Sequence, residues 1–208
     1  KYEYFIRKSA GLGKSPTEPD PDIYEHKYIH CDVLVIGAGI SGIMAAKTAA
    51  KNGYKTLLVE ESFYLGGSTI YKNSDFFKIN NQISNSWLEK EINEIKKIKN
   101  LEIKTRTSLA AFHNYNFLLA RENLTDHLPL SQRENKVRHR LLKIRAKKVI
   151  TATGSLERPL IFDNNDRPGI FLSSAVEKYA NLFGVSCGEK NVLFTNNDSA
   201  YETAISLF

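Results

Sequence analysis

Cysteine is almost missing from this sequence, with two among 208 residues. Cys31 and Cys187 lie too far apart to form any metal-binding or dithiol spacing, so no metal centre is expected, and the thiols read as buried groups in a reducing compartment. Apolar runs long enough to span a bilayer are also lacking, and the first residues do not have the basic-then-apolar form of a signal peptide. A cytoplasmic protein without a membrane partner is therefore expected. No solenoid period and no low-complexity tract occur. The formal net charge of +6 comes from lysines scattered among acids, which describes a solvated surface. The densest basic run, Arg133 to Lys148, alternates with apolar residues from Val137 onward, as an exposed strand edge would. It has no interleaved aromatic residues on which bases could stack, so no nucleic-acid partner is expected. The chain starts at Lys1 and stops at Phe208 within an amphipathic stretch, and so reads as a segment of a longer polypeptide.

With 42% hydrophobic and 25% charged residues, the sequence has the makeup of a globular protein with one sizeable core. Residues 1–30 carry Gly11, Gly13, Pro16, Pro19 and Pro21 in a polar setting and read as an extended arm. Residues 31–170 read as a dinucleotide-binding domain. Cys31 to Ile36 is a buried strand, Ile40 to Asn52 a helix and Tyr54 to Glu60 a second strand, together one βαβ unit. Ser86, with Glu89 three residues on, predicts a capped helix carrying Trp87, Leu88, Ile92, Ile95 and Ile98 on its apolar face. Leu101 to Thr107 alternates like a strand. An antiparallel insertion is expected over about 109–147, and Lys148 to Thr153 is a short buried strand. Residues 171–208 read as the start of a second unit, with a helix at Ser174 to Phe183, a strand at Asn191 to Phe194 and a helix from Ser199. The fold class expected is α/β, a Rossmann-like FAD/NAD(P)-binding domain.

Gly37, Gly39 and Gly42 form G-x-G-x-x-G between the first strand and the helix, with Ser41 in the first helical turn. In that context Gly37 allows the tight turn, Gly39 lets backbone approach a pyrophosphate, and Gly42 lets helix and strand pack closely. The N–H groups and dipole at the helix start favour the anion. Glu60, 23 residues after Gly37, is placed to accept both hydroxyls of an adenosine ribose and to repel a 2′-phosphate. Glu61 either shares that contact or is the exposed end of the strand. Gly66, Gly67 and Ser68 would let a loop fold over the same pyrophosphate. Thr153 and Gly154 end the last strand where a side chain would crowd a cofactor. Of the histidines, His113 and His127 have a hydroxyl or acid nearby in Tyr115 and Asp126, yet both read as surface residues. No catalytic residue is assigned.

The combination of G-x-G-x-x-G with E-x5-G-G resembles two-dinucleotide-binding flavoproteins, in which the residue after the third strand meets the adenine. That points to the vicinity of Leu109. Longer stretches are more specific: Phe5 to Gly13 (FIRKSAGLG), Asp20 to Glu25 (DPDIYE), Ala152 to Leu160 (ATGSLERPL), Asn165 to Gly169 (NDRPG) and Thr195 to Tyr201 (TNNDSAY). In these the chain resembles the α subunits of heterotetrameric sarcosine oxidases. One departure is Phe112 to Asn116, where the family has a Tyr-Asp-His-Asn-like run.

The resemblance implies a complex with β, γ and δ subunits that demethylates sarcosine to glycine, with hydrogen peroxide and a one-carbon unit passed to tetrahydrofolate in a domain outside this sequence. It implies NAD in the α subunit, FMN at the α/β interface and FAD in the β subunit. Relatives that oxidise hydroxyproline, opines or glycine carry FAD in the matching place, so FAD is the alternative occupant. A scaffold joining the other subunits is a further alternative, opposed by the intact glycines and Glu60. In the second unit, Thr195 and Asn197 stand where the first two glycines of another phosphate turn belong, so that turn is expected to be closed to a free nucleotide.

Overall fold

The computed structural model describes residues 2–11, 13, 17–72 and 77–207. Leu12 and Pro16 of the expected arm, and Lys1 and Phe208, lie outside the described residues. Helix α1 (Glu3–Ser9) comes first. Strand β1 (Ile23–Ile36) then leads through the glycine turn into α2 (Ile40–Lys51) and β2 (Thr56–Val59). A small hairpin of β3 (Lys78–Ile79) and β4 (Gln82–Ile83) precedes α3 (Ser84–Ile95) and β5 (Leu101–Lys104). Strands β6 (Thr107–His113), β7 (Phe117–Asn123) and β8 (Val137–Thr151) follow, then α4 (Ser173–Phe183) and α5 (Ser199–Ser206).

One six-stranded sheet, in the order β5-β2-β1-β8-β7-β6, organises the molecule. The pairs β5/β2, β2/β1 and β1/β8 are parallel, whereas β8/β7 and β7/β6 are antiparallel. The antiparallel strands expected in the insertion are therefore present and continue the parallel sheet. The two edge strands, β5 and β6, are separated in sequence only by Thr105 and Arg106. A sheet whose opposite edges are joined by two residues must roll until those edges meet at a corner, in the sense that strand twist favours. At that corner Thr107 donates its N–H to the Glu60 carbonyl at 2.8 Å and Asn123 donates to the Arg106 carbonyl at 2.9 Å.

Side-chain alternation in β1 divides the core between the two faces of the sheet. Val33 and Val35 join Leu58 under α2 and α3, packed with Ile43, Ala46, Trp87, Leu88 and Ile95. Leu34 and Ile36 join Leu57, Val59, Leu118, Leu142 and Ile144 inside the roll. Helix α2 buries Gly42, Ile43, Ala46 and Ala50, a single stripe at helical spacing. Lys47 ties it to α3 through ion pairs with Glu91 and, at 2.7 Å, with Glu94.

Several expectations are corrected. The supposed arm contains α1, and β1 begins at Ile23, because its first half pairs with β8 from Val137 onward. The basic run Arg133 to Lys148 is no edge: β8 lies between β1 and β7. Its arginines are tolerated there because acids on neighbouring segments face them, Arg138 meeting Asp22 and Asp126 and Arg140 meeting Glu25 and Glu122. Helix α3 starts at Ser84 without a side-chain cap, so Ser86 and Glu89 form no capping box. The Leu101 to Thr107 strand breaks at Arg106, whose φ of +50° turns the chain from β5 into β6. No strand forms at Asn191 to Phe194 among the described residues, where no neighbouring strand offers backbone partners.

Candidate dinucleotide site

The three glycines of the turn occupy three different surroundings. Gly37 has φ +95°, and a Cβ there would lie 2.4 Å from the Ala152 carbonyl oxygen. A Cβ on Gly42 would lie 1.8 Å from the Gly37 carbonyl oxygen and 3.4 Å from the Ala152 Cβ. Protein fills both places, so both glycines serve close packing of turn, helix and strand β8. Gly39 differs: it is the extended N-cap of α2, and a Cβ there would meet nothing within 4 Å. No side chain caps α2, and Ser41 is exposed in its first turn. Open space, an uncapped helix start and a positive dipole end together suit an anion such as a pyrophosphate.

The second glycine pair folds onto the first turn. Gly66, at φ +118°, donates its N–H to the Ala38 carbonyl at 2.8 Å, and a Cβ on Gly67 would stand 3.1 Å from the Gly39 Cα. Ser68 is exposed in the single 3-10 turn that follows, Gly67–Ile70. From the other side Ala152 donates to the Ile36 carbonyl at 2.8 Å, which sets exposed Thr153 and Gly154 (φ +72°) beside the turn.

Glu60 is 7% exposed although it is an acid at a strand end. Its Oε2 accepts the Ala38 N–H at 2.6 Å and its Oε1 accepts the Ser62 N–H at 2.9 Å. The carboxylate thus braces the glycine turn, a role absent from the sequence reading. Each oxygen has a second lone pair, so ribose hydroxyls can still be accepted. Glu61, the next residue, is exposed. Leu109 lies within β6, five residues beyond the end of β5, opposite Ala120 and packed against the cluster inside the roll.

Downstream, Glu157 of the A-T-G-S-L-E-R-P stretch receives the N–H groups of Ser173 and Ser174 at 3.2 and 2.8 Å, and so caps α4. Sequence gave no sign of this partner 16 residues away. At the start of α5, Asn197 Oδ1 accepts the Ser199 N–H at 3.0 Å, and Asn197 donates its own N–H to Thr195 Oγ1 at 3.2 Å. The Asn197 amide thus holds the backbone at the start of α5.

Among the described residues no cluster of His, Cys, Asp or Glu could hold a metal. Burial pushes the Cys31 thiol up to about 11, which leaves it unreactive. Asp126 faces His139 at 2.6 Å and Arg138, not His127, and hydrogen bonds from those two partners hold its carboxyl down to about 2. No helix among the described residues is long and apolar enough to cross a membrane.

Comparison with known proteins agrees with this geometry. The family model described as FAD dependent oxidoreductase matches residues 32–155. The chain is similar to the sarcosine oxidase subunit alpha of Rhizobium meliloti (strain 1021), with 38% identity over 99% of this chain and 20% of that protein. The corresponding subunit of Corynebacterium sp. (strain P-1) is 37% identical over 95% of the chain and 20% of that protein. The chain thus spans about a fifth of the length of these curated relatives. Among solved structures, L-proline dehydrogenase from P. horikoshii superposes with a TM-score of 0.69 at 26% identity, covering 88% of this chain and 34% of that one.

Proposed function

The chain belongs to the FAD dependent oxidoreductase family, and from that membership we propose that it is the dinucleotide-holding part of an α subunit in a sarcosine oxidase-type complex. The observation that carries the proposal is the convergence of four segments around the open face of Gly39: the turn itself, Glu60, the Gly66-Gly67 pair, and Thr153-Gly154. In the proposed complex, sarcosine is demethylated oxidatively alongside β, γ and δ subunits, and the amine meets residues outside this segment.

Gly39 and the start of α2 would receive the pyrophosphate, Gly66 and Gly67 would close over it, and Glu60 would accept the ribose hydroxyls. The NAD would be held here without being turned over, and the redox chemistry of the complex would belong to flavins outside this site. Likeness to sarcosine oxidase α subunits favours NAD here; the family description favours FAD as the second reading. Acid release of the ligand from the purified protein, followed by mass and visible spectrum, decides between them: a colourless ligand with the mass of NAD is expected, and a yellow one would establish FAD instead. In the NAD case Glu60→Ala is expected to weaken NAD by about 1.5–3 kcal/mol, the range for charged hydrogen bonds. NADP should lose less, because the carboxylate that opposes its phosphate is gone. Equal losses would remove Glu60 from the ribose site.

The second unit is proposed to take no hydride from free NADH or NADPH, since Asn197 caps α5 where their pyrophosphate would bind. When the assembled complex is mixed with either nucleotide under oxygen, absorbance at the reduced-nicotinamide band should stay flat. Saturable oxidation at micromolar nucleotide would refute this.

A further inference from the structure

A cavity of about 320 Å³ opens at the corner where the rolled sheet closes. Three cations from three separate elements line it: Arg106 from the β5–β6 turn, Arg121 from β7 and Lys178 from α4. We propose that this cavity binds a phosphate monoester.

The first support is charge. The more buried basic side chains Lys47, Lys104, Arg138 and Arg140 stand against acids. Among the described residues, no carboxylate lies within ion-pair distance of Arg106, Arg121 or Lys178. Aromatic faces hold two of them instead, with the Arg106 guanidinium 5.4 Å from the Phe63 ring centre and the Lys178 ammonium 6.0 Å from that of Tyr64. Glu61 is the one acid on the wall, so the lining keeps a formal charge of +2, three cations less one carboxylate. Converging like charges repel one another, and an anion bound among them offsets that cost.

The second support is geometry. Donors that arrive from three elements suit a tetrahedral dianion with three oxygens better than a flat carboxylate, which one arginine fork can satisfy. Ser62 and Ser108 add hydroxyls to the same wall. The volume exceeds that of a phosphate group, leaving space for the organic body that carries it.

Two sources share this chemistry. One is a phosphate on the adenosine ribose, an assignment that rests on the ribose lying at Glu60. The Ser62 N–H reaches Glu60 Oε1 at 2.9 Å, and the Arg106 N–H reaches the Ser62 carbonyl at 2.9 Å, so the cavity wall is continuous with that site. A 2′-phosphate repelled by Glu60 would turn toward these cations. The other source is a free phosphate ester that binds beside the nucleotide.

Calorimetric titration of the full chain with NAD, NADP and inorganic phosphate, at ionic strength fixed with chloride, separates the cases. Arg121→Gln alters an exposed side chain on β7 and should leave the fold intact; Lys178→Gln is the second variant. NADP binding that each variant weakens about tenfold, with NAD binding unchanged, would support the ribose-borne source. Saturable phosphate binding weakened similarly by each variant, with NADP and NAD binding both unchanged, would support the free one. Absence of saturable phosphate binding together with NADP binding that both variants leave unchanged, or phosphate binding that both variants leave unchanged, would overturn the proposal. If wild type binds phosphate saturably and fails to bind NAD, the cavity stands and the placement of NAD at Glu60 falls.

Discussion

Gly39→Val should abolish retention of the dinucleotide while lowering stability by no more than about 1 kcal/mol, the cost of a poorer N-cap. A Cβ there would meet no protein atom within 4 Å beyond its chain neighbours, so the branched side chain is expected to displace the ligand and not the protein. Gly42→Ala supplies the contrast, because its single added carbon would fall 1.8 Å from the Gly37 carbonyl oxygen. Backbone cannot yield as a flexible side chain can, and a loss of about 3 kcal/mol, the upper end for overpacking, is expected together with loss of ligand. Urea unfolding of each variant, with chromatographic measurement of the ligand released from it, checks both. A Gly39→Val protein that keeps full occupancy would remove the pyrophosphate from this turn, and an unchanged urea midpoint for Gly42→Ala would contradict the close packing of α2 on β1.

The largest loss of stability is expected at Glu122, which lies far from the glycine turn. Its side chain and that of Lys104 are each 9% exposed and meet at 2.7 Å, joining β7 to β5 across the rolled sheet. Arg140 on β8 adds a bond to Glu122 at 2.8 Å and continues to Glu25 on β1. Glu122→Ala leaves Lys104 buried without this partner and should cost about 3–5 kcal/mol, as breaking a buried pair does. Replacing both, with Glu122→Leu and Lys104→Met, should recover most of that, since no buried charge is stranded. A loss under about 1 kcal/mol for Glu122→Ala would mean that water reaches the pair and that the sheet closes without it.

The same residue sets a pH dependence. Burial pushes the Glu122 carboxyl up, but hydrogen bonds and charge from Lys104 and Arg140 outweigh it and hold the group below its usual 4.5. A carboxyl depressed in the folded state contributes stability above its unfolded pKa and loses it as pH falls through the folded one. Urea midpoints of wild type should therefore fall below about pH 4.5, and those of Glu122→Ala should fall less steeply over the same interval.

The sequence determined whatever depends on neighbours along the chain. Gly37, Gly39 and Gly42 announce a phosphate turn because strand, turn and helix follow one another within a few residues, and β1, α2 and β2 formed as their alternation and helical spacing required. Glu60 was legible for the same reason, as the last residue of that local unit. Tertiary structure decided what depends on partners far away in the chain. Pairing with β8 lengthened β1 to Ile23, and acids on β1 and β7 turned a basic run that looked like a solvated edge into an interior strand. Among the described residues no strand neighbours Asn191 to Phe194, which stay unpaired. Glu60 gained its second role only when the Ala38 N–H came within 2.6 Å, and Arg106, Arg121 and Lys178 became one wall only when the sheet rolled. A side chain's alternation and propensity are written beside it in the sequence, but the charge or hydrogen bond that it meets is fixed by how the strands close.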